Sequence, residues 1–192
     1  MSRLFPVFDA TRDHFQGPDK AVIELVEYGD YQCERCAIAY PVIKFLQDVL
    51  RNKLRFVFRN FPLPTIHTST LKAAIAAEAA GLQGKYWLMH DMLFENQQDI
   101  DTYSITHFAR AIELDMDQFE KDLSNRKLFQ KVTSDFESGI RSGVDGSPTF
   151  FINGKRYNGY ADFESLYKTC SMVIPYEEHS RSYVSQSLVG VV

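Results

Sequence analysis

The sequence has few cysteines, no long apolar run and no excess of positive charge, and each shortage removes a class of protein. Three of 192 residues are cysteine. That is too few for the disulfide framework that small secreted domains use in place of a large core, and three cannot all pair within one chain. No apolar stretch approaches the roughly 20 residues a helix needs to cross a bilayer. Lys and Arg number 21 against 25 Asp and Glu, a net charge of −4 spread along the chain, so there is no basic stripe to hold a nucleic acid. Internal repeats and low-complexity stretches are absent too. Residues 1–8 do not form a secretory core, because Pro6 interrupts the short apolar patch and Asp9 ends it. The expectation is a cytoplasmic protein, with a periplasmic or extracytoplasmic setting as the alternative if a leader has been trimmed.

What is present suits one folded unit: 45% hydrophobic and 24% charged residues, enough to bury a substantial core. Residues 21–28 (AVIELVEY) are rich in strand formers and lead through GDYQ into a helical pattern over about 33–51. Ala39, Val42, Ile43, Leu46, Val49 and Leu50 would form that helix's buried stripe. Residues 54–59 (LRFVFR) read as a second strand, parallel to the first because a helix crosses between them. From 68 to 142 the period is helical throughout, four or five segments with no strand, beginning with TLKAAIAAEAAGL. Ser104, Asp115 and Asp117 are available as caps, and Tyr86, Trp87 and Leu88 are expected in the core of the block. Strand character returns at Thr149, and Asn153-Gly154 predicts a two-residue type I′ hairpin. ADFESLYKTC then reads as a last helix capped by Asp162, and beyond Pro175 a loosely held tail is expected.

The chemistry centres on Cys33-Glu34-Arg35-Cys36, which follows a strand and opens a helix. Unsatisfied N–H groups and the positive end of the helix dipole favour an anion there, which makes Cys33 the attacking thiolate. Cys36, one turn further in, can close a disulfide with it while shielded from outside partners. Two rival readings are small core residues and a zinc half-site. The half-site would need two more ligands, and Cys170, His14, His67, His90, His107 and His179 show no ligand spacing, so no metal is expected. Cys170 reads as a small buried residue. Glu27, six residues before Cys33, either points inward, where burial would raise its pKa and let it take a proton from Cys36, or alternates out to solvent. Spacing leaves both open. Local sequence favours a trans bond at Ser147-Pro148, since only about 5 to 6% of X-Pro bonds are cis.

Taken in order, VEYGDYQCERC, AIAYPVIKFLQ, RFVFRNFPL, the Ala-rich helix and GSPTFFINGKRYNGY resemble the DsbA-like thioredoxin-fold thiol-disulfide oxidoreductases, in their compact bacterial branch, over residues 14–170. The resemblance implies an α/β thioredoxin fold with a mixed central sheet. Residues 14–64 and 143–171 would form that fold, 65–142 an all-helical insertion and 172–192 a C-terminal tail. Thioredoxin itself fits less well, because 112 positions separate Cys36 from Pro148 where its pattern has about forty. The resemblance also implies that Pro148 is cis and, with Ser147, faces the Cys33–Cys36 pair, and that Glu27 is a buried carboxylate. No cofactor is implied. The partners would be protein or peptide thiols and disulfides, with glutathione or a thioredoxin-type protein as electron donor. The branch usually carries proline after the first cysteine, whereas Glu34-Arg35 would meet substrate here. Their opposed charges add little net stabilisation to the thiolate, so a moderately reducing or isomerase-like potential, nearer thioredoxin than DsbA, is the expectation. Two other functions are compatible with the fold: a glutathione-dependent transferase or isomerase, against which Cys36 argues, and a peptide-binding, chaperone-like module.

Overall fold

The computed structural model describes residues 2–175, and its two central strands explain why the first apolar run lacks clean alternation. In β2 (Ile23–Gly29) and β3 (Leu54–Asn60) every residue is buried except the partly exposed Glu24 and Arg55. A strand covered on both faces selects apolar residues at every position instead of every second one. The two pair in parallel, Ile23 opposite Leu54 through Gly29 opposite Asn60, joined by helix α1 (Glu34–Leu50).

The five-stranded sheet has the order β1-β3-β2-β4-β5. Strands β4 (Thr149–Ile152) and β5 (Lys155–Arg156) form the hairpin, and β4 lies antiparallel to β2 with Glu27 opposite Phe150. Positive φ at both Asn153 (46°) and Gly154 (74°) matches a type I′ turn. Strand β1 (His14–Gln16) pairs antiparallel with β3 and was not anticipated, since three residues carry no readable period. Outside β5, Leu4 N–H donates to the Gly154 carbonyl at 2.9 Å, and Arg156 N–H donates to that of Ser2 at 3.2 Å.

Helix α1 buries Cys36, Ala39, Ile43, Leu46 and Leu50. Val49 is instead 43% exposed and Val42 only partly covered. Those two lie one residue short of the stripe's positions, a rotation of about 100°.

Between β3 and β4 stand α2 (Thr70–Leu82), α3 (Tyr86–Glu95), α4 (Thr102–Ala111), α5 (Met116–Asp122) and α6 (Arg126–Arg141), with no strand among residues 65–142. Asp115 caps α5, Asn125 caps α6, and Asp162 caps α7 (Phe163–Met172). The cap of α4 is Asp101 rather than Ser104. Ser104 is the reciprocal partner three residues on, and each side chain accepts the other's backbone N–H. Tyr86 is buried and Trp87 partly so, its indole N–H on the Phe15 carbonyl at 3.2 Å. Leu88, one residue further round the helix, is 51% exposed, contrary to the expected core position.

Buried polar contacts tie the helices to the sheet. Asn60 donates to Glu78 of α2 (2.9 Å) and, through its backbone N–H, to Asp135 of α6 (3.2 Å); Glu78 also pairs with His14 of β1 at 2.8 Å. On the opposite face Arg59 makes a two-pronged bond to Asp13, both arms 2.9 Å. Leaving one member of such a buried pair unpartnered costs about 3–5 kcal/mol. Among the described residues, no helix is long and apolar enough to cross a membrane. The expectation for the tail from residue 176 onward lies outside the described residues.

Candidate functional site

The dithiol segment sits where β2 runs out. Gly29 ends the strand with Phe58 so close that a Cβ would stand 2.3 Å from its ring, so only glycine fits. Asp30 then fixes the loop. Its buried carboxylate accepts from the backbone N–H of Gln32 (2.8 Å) and of Leu63 (3.0 Å), contacts His67 Nδ1 at 2.8 Å and takes the Thr70 hydroxyl. Gln97, on the turn between α3 and α4, donates its side-chain amide to the carbonyls of Tyr31 and Cys33, each at 2.9 Å. The Tyr31 hydroxyl meets His90 Nδ1 at 3.1 Å, and burial holds His90 down to about 3. Sequence reasoning singled out neither Asp30 nor Gln97. An acid at a strand end facing His67 and Thr70 downstream was a usable signal for the first, and nothing local marks the second.

Cys33 is the N-cap of α1, in extended conformation. It is only 7% exposed, so the open helix start expected from sequence is in fact a narrow approach. The Ser147–Pro148 peptide bond is cis, and the start of β4 carries this loop against the dithiol: the Cys33 thiol donates to the Ser147 carbonyl at 3.3 Å. Beside Pro148 lies a cleft of about 210 Å³ lined by Thr149, Arg156, Tyr157, Asn158 and Ala161 among others. All three cysteines are free thiols.

The two sulfurs are driven apart electrostatically. Cys33 is lowered to about 5, chiefly because the Cys36 thiol donates to it. Burial opposes the shift, while the Ser147 hydroxyl and the backbone N–H groups of Cys36 and Arg35 assist it. The Ser147 hydroxyl has no partner while Cys33 is a neutral thiol; ionisation ends the bond to the carbonyl and gives that hydroxyl an acceptor. Cys36 is fully buried and raised well above the ordinary thiol value, first by burial, then by its bond to Cys33 and the charge of Glu27. Glu27 faces inward, because both faces of β2 are covered. Burial, with the charge of Cys33 adding, pushes it up to about 8, and its Oε1 has no partner.

Glu34 and Arg35 are exposed on the first turn of α1, and their side chains form no hydrogen bond or ion pair among the described residues. Cys170 is fully buried in α7, and burial pushes it up to about 12. Among the described residues no three of His, Cys, Asp and Glu are grouped as metal ligands. His179 lies outside them.

The sequence profile of the thioredoxin family matches residues 9–170. Among curated proteins, the chain is 39% identical over 163 residues to a Na(+)/H(+) antiporter NhaA 1 of Salinispora arenicola, covering 85% of this chain and 25% of the antiporter. A Na(+)/H(+) antiporter NhaA of Herminiimonas arsenicoxydans is 35% identical, over 85% of this chain and 26% of its own. The chain thus spans about a quarter of the length of these relatives. Among solved structures, the thiol-disulfide exchange protein alpha-DsbA2 of Wolbachia pipientis superposes with a TM-score of 0.78 at 24% identity, covering 88% of this chain and 90% of that one. BdbD of Bacillus subtilis superposes at 0.75 and 20% identity, over 86% and 94%. With that profile running from before β1 to the last turns of α7, the chain belongs to the thioredoxin family, and its fold is that of the DsbA-type proteins.

Proposed function

We propose that the protein is a dithiol–disulfide oxidoreductase acting on protein or peptide thiols through Cys33 and Cys36. The observation that supports this best is the split ionisation of two sulfurs one helical turn apart, Cys33 held low and Cys36 held high, with an unpartnered carboxyl at Glu27. In the reducing direction the Cys33 thiolate attacks a substrate disulfide. One S–S bond forms as another breaks, and the departing sulfur leaves as a thiolate that takes a proton from water. The Cys36 thiol then gives its proton to Glu27 in its ionised form, a fraction that grows once the mixed disulfide has removed the Cys33 charge that helps to raise its pKa, and attacks the Cys33 sulfur, which frees the second substrate thiolate and leaves Cys33–Cys36 oxidised. A reduced dithiol or glutathione reverses the sequence. Ser147 and Pro148, with the adjoining cleft, would seat the substrate chain, and Glu34 and Arg35 would meet it at the rim.

The similarity to the antiporters covers the stretch that folds here as a thioredoxin domain, so the proposal concerns thiol chemistry alone. A glutathione-dependent transferase or a chaperone-like module would leave the Cys36–Glu27 arrangement without a task.

Alkylation tests the assignment. Iodoacetamide applied to the reduced protein should label Cys33 with a half-point near pH 5, and should reach Cys36 and Cys170 only after denaturation. Equal rates at the three sulfurs, read by mass spectrometry of peptides, would contradict the roles given.

The direction of exchange follows from the same ionisation. A thiolate held at about 5 lies midway between the thioredoxin value of about 7 and the DsbA value of about 3.5. The corresponding potentials are about −270 and −120 mV, so this pair is expected to lie between them. An intermediate value would fit the isomerase-like part of the expectation, and what lowers Cys33 is the Cys36 thiol, Ser147 and backbone N–H groups rather than Glu34 and Arg35. Equilibration against glutathione buffers measures it, and a value below about −250 mV would restore the thioredoxin-like reading.

A further inference from the structure

The dithiol loop has a structural problem that its own residues do not solve. An N-cap residue is normally held by its side chain, which bonds back to the second or third N–H of the helix. At α1 that side chain is the nucleophile. Cys33 makes no side-chain cap bond, and once its sulfur is joined to a substrate it has no lone thiolate to offer. The extended N-cap conformation, φ −79° and ψ 116°, must therefore be maintained by something other than sulfur if the N–H groups of Arg35 and Cys36 are to face Sγ at every stage.

Gln97 meets that need. It stands on the 97–99 turn, 64 residues downstream, and is 9% exposed. Its Nε2 spends both hydrogens on the dithiol loop, one on the Tyr31 carbonyl and one on the Cys33 carbonyl, at 2.9 Å each. Because both partners can only accept, the orientation of the amide is fixed by its surroundings. The Cys33 carbonyl already receives the first two N–H groups that close α1, from Cys36 at 2.9 Å and Ala37 at 3.1 Å. Among the described residues, Tyr31 has no other donor on its carbonyl. The turn that presents Gln97 is itself pinned, since Asn96 directs its backbone N–H (3.1 Å) and its side-chain amide (2.8 Å) to the Met92 carbonyl.

We infer that Gln97 is a positioning residue for the redox reaction, holding the Cys33 peptide in N-cap geometry so that the N–H groups at the start of α1 stay aimed at the sulfur. The inference rests on the oxidoreductase reading above. It also gives the helical insertion a part in the chemistry, since a residue from outside the thioredoxin core sets the reactivity of the nucleophile.

The test is Gln97→Met, which keeps side-chain length and bulk and removes both donors. The half-point of Cys33 alkylation should rise by at least about one pH unit, which slows labelling close to tenfold at a pH below the wild-type half-point. The near-UV circular dichroism should stay native. An unchanged half-point in a variant that is merely less stable would overturn the inference. If the wild-type half-point itself lay near the ordinary thiol value of about 8.5, the oxidoreductase reading would fail instead, and the two failures are thus distinguishable. Should Gln97→Met not fold, Gln97→Asn, one methylene short of the carbonyls, takes its place with the same expected rise. In the unmodified protein, the Gln97 side-chain amide protons should exchange slowly both in the reduced state and with Cys33 blocked by glutathione. Fast exchange in either state would also overturn it.

Discussion

Replacing Cys33 with serine is expected to lower disulfide reduction at pH 7 by at least about a thousandfold, because the reaction loses a nucleophile that is already ionised. With Cys33 lowered to about 5, roughly 99% of it is thiolate at pH 7. A serine hydroxyl in the same place stays protonated and is the weaker nucleophile. Cys36→Ala should behave differently. The first attack survives, but nothing releases the product, so the protein should accumulate as a stable mixed disulfide visible on a non-reducing gel. The same variant removes the leading stabiliser of the Cys33 thiolate, the Cys36 S–H bond, and the Cys33 alkylation half-point should move upward. A Cys33→Ser protein retaining even a few per cent of wild-type rate, or a Cys36→Ala protein that turns over normally, would contradict the assignment.

The second large effect is a pair of opposed pH slopes in stability. Glu27 has a folded pKa of about 8 against an ordinary 4.5. Between those values the folded state keeps a proton that the unfolded chain has released, so stability falls as pH rises. Cys33 runs the other way: about 5 when folded against 9.0 ordinarily. Across that window the unfolded chain holds the extra proton, so stability rises with pH and is lost as pH falls through 5. Each slope is about 1.4 kcal/mol per pH unit. They overlap from about 5 to 8, where the reduced wild type should be nearly flat. Glu27→Gln should expose the rising limb and Cys33→Ser the falling one. In the latter the upper end of the Glu27 window moves down, because the thiolate no longer adds to burial. Urea denaturation of the three proteins at pH 5.5, 6.5 and 7.5 measures the slopes, and a Glu27→Gln profile parallel to that of the wild type would show that Glu27 does not hold its proton in the folded state.

What could be read from the sequence was whatever repeats on a short period. The β2 and β3 runs, the helical block and the Asn153-Gly154 turn are all local patterns, and all appear within a residue or two of their expected places, while the α1 stripe keeps Ala39, Ile43, Leu46 and Leu50 but not Val42 and Val49. Asp115 and Asp162 could be recognised as caps for the same reason, whereas Ser104 was displaced to the partner role because Asp101 stood ready three residues earlier. The site was legible where its chemistry is contiguous, at Cys33 and Cys36. Glu27 was ambiguous because alternation decides orientation only when one face of a sheet is wet, and β2 has no wet face. Strand β1 was missed because three residues hold no period, and Gln97 because its importance comes from carbonyls 64 and 66 residues away.

Under the proposed function, the backbone that lies outside β5 would govern how substrate chains meet the sheet. An enzyme that exchanges disulfides spends its time beside unfolded chains, and an open strand edge would invite those chains to zip on and carry it into aggregates. Here the outermost strands are two and three residues long, and the backbone of Ser2 and Leu4 already occupies the bonds outside β5. Under the proposed function, substrate chains would find little edge to template on, and contact would be channelled toward the cleft beside Pro148, where release would depend on chemistry rather than on prising apart a sheet.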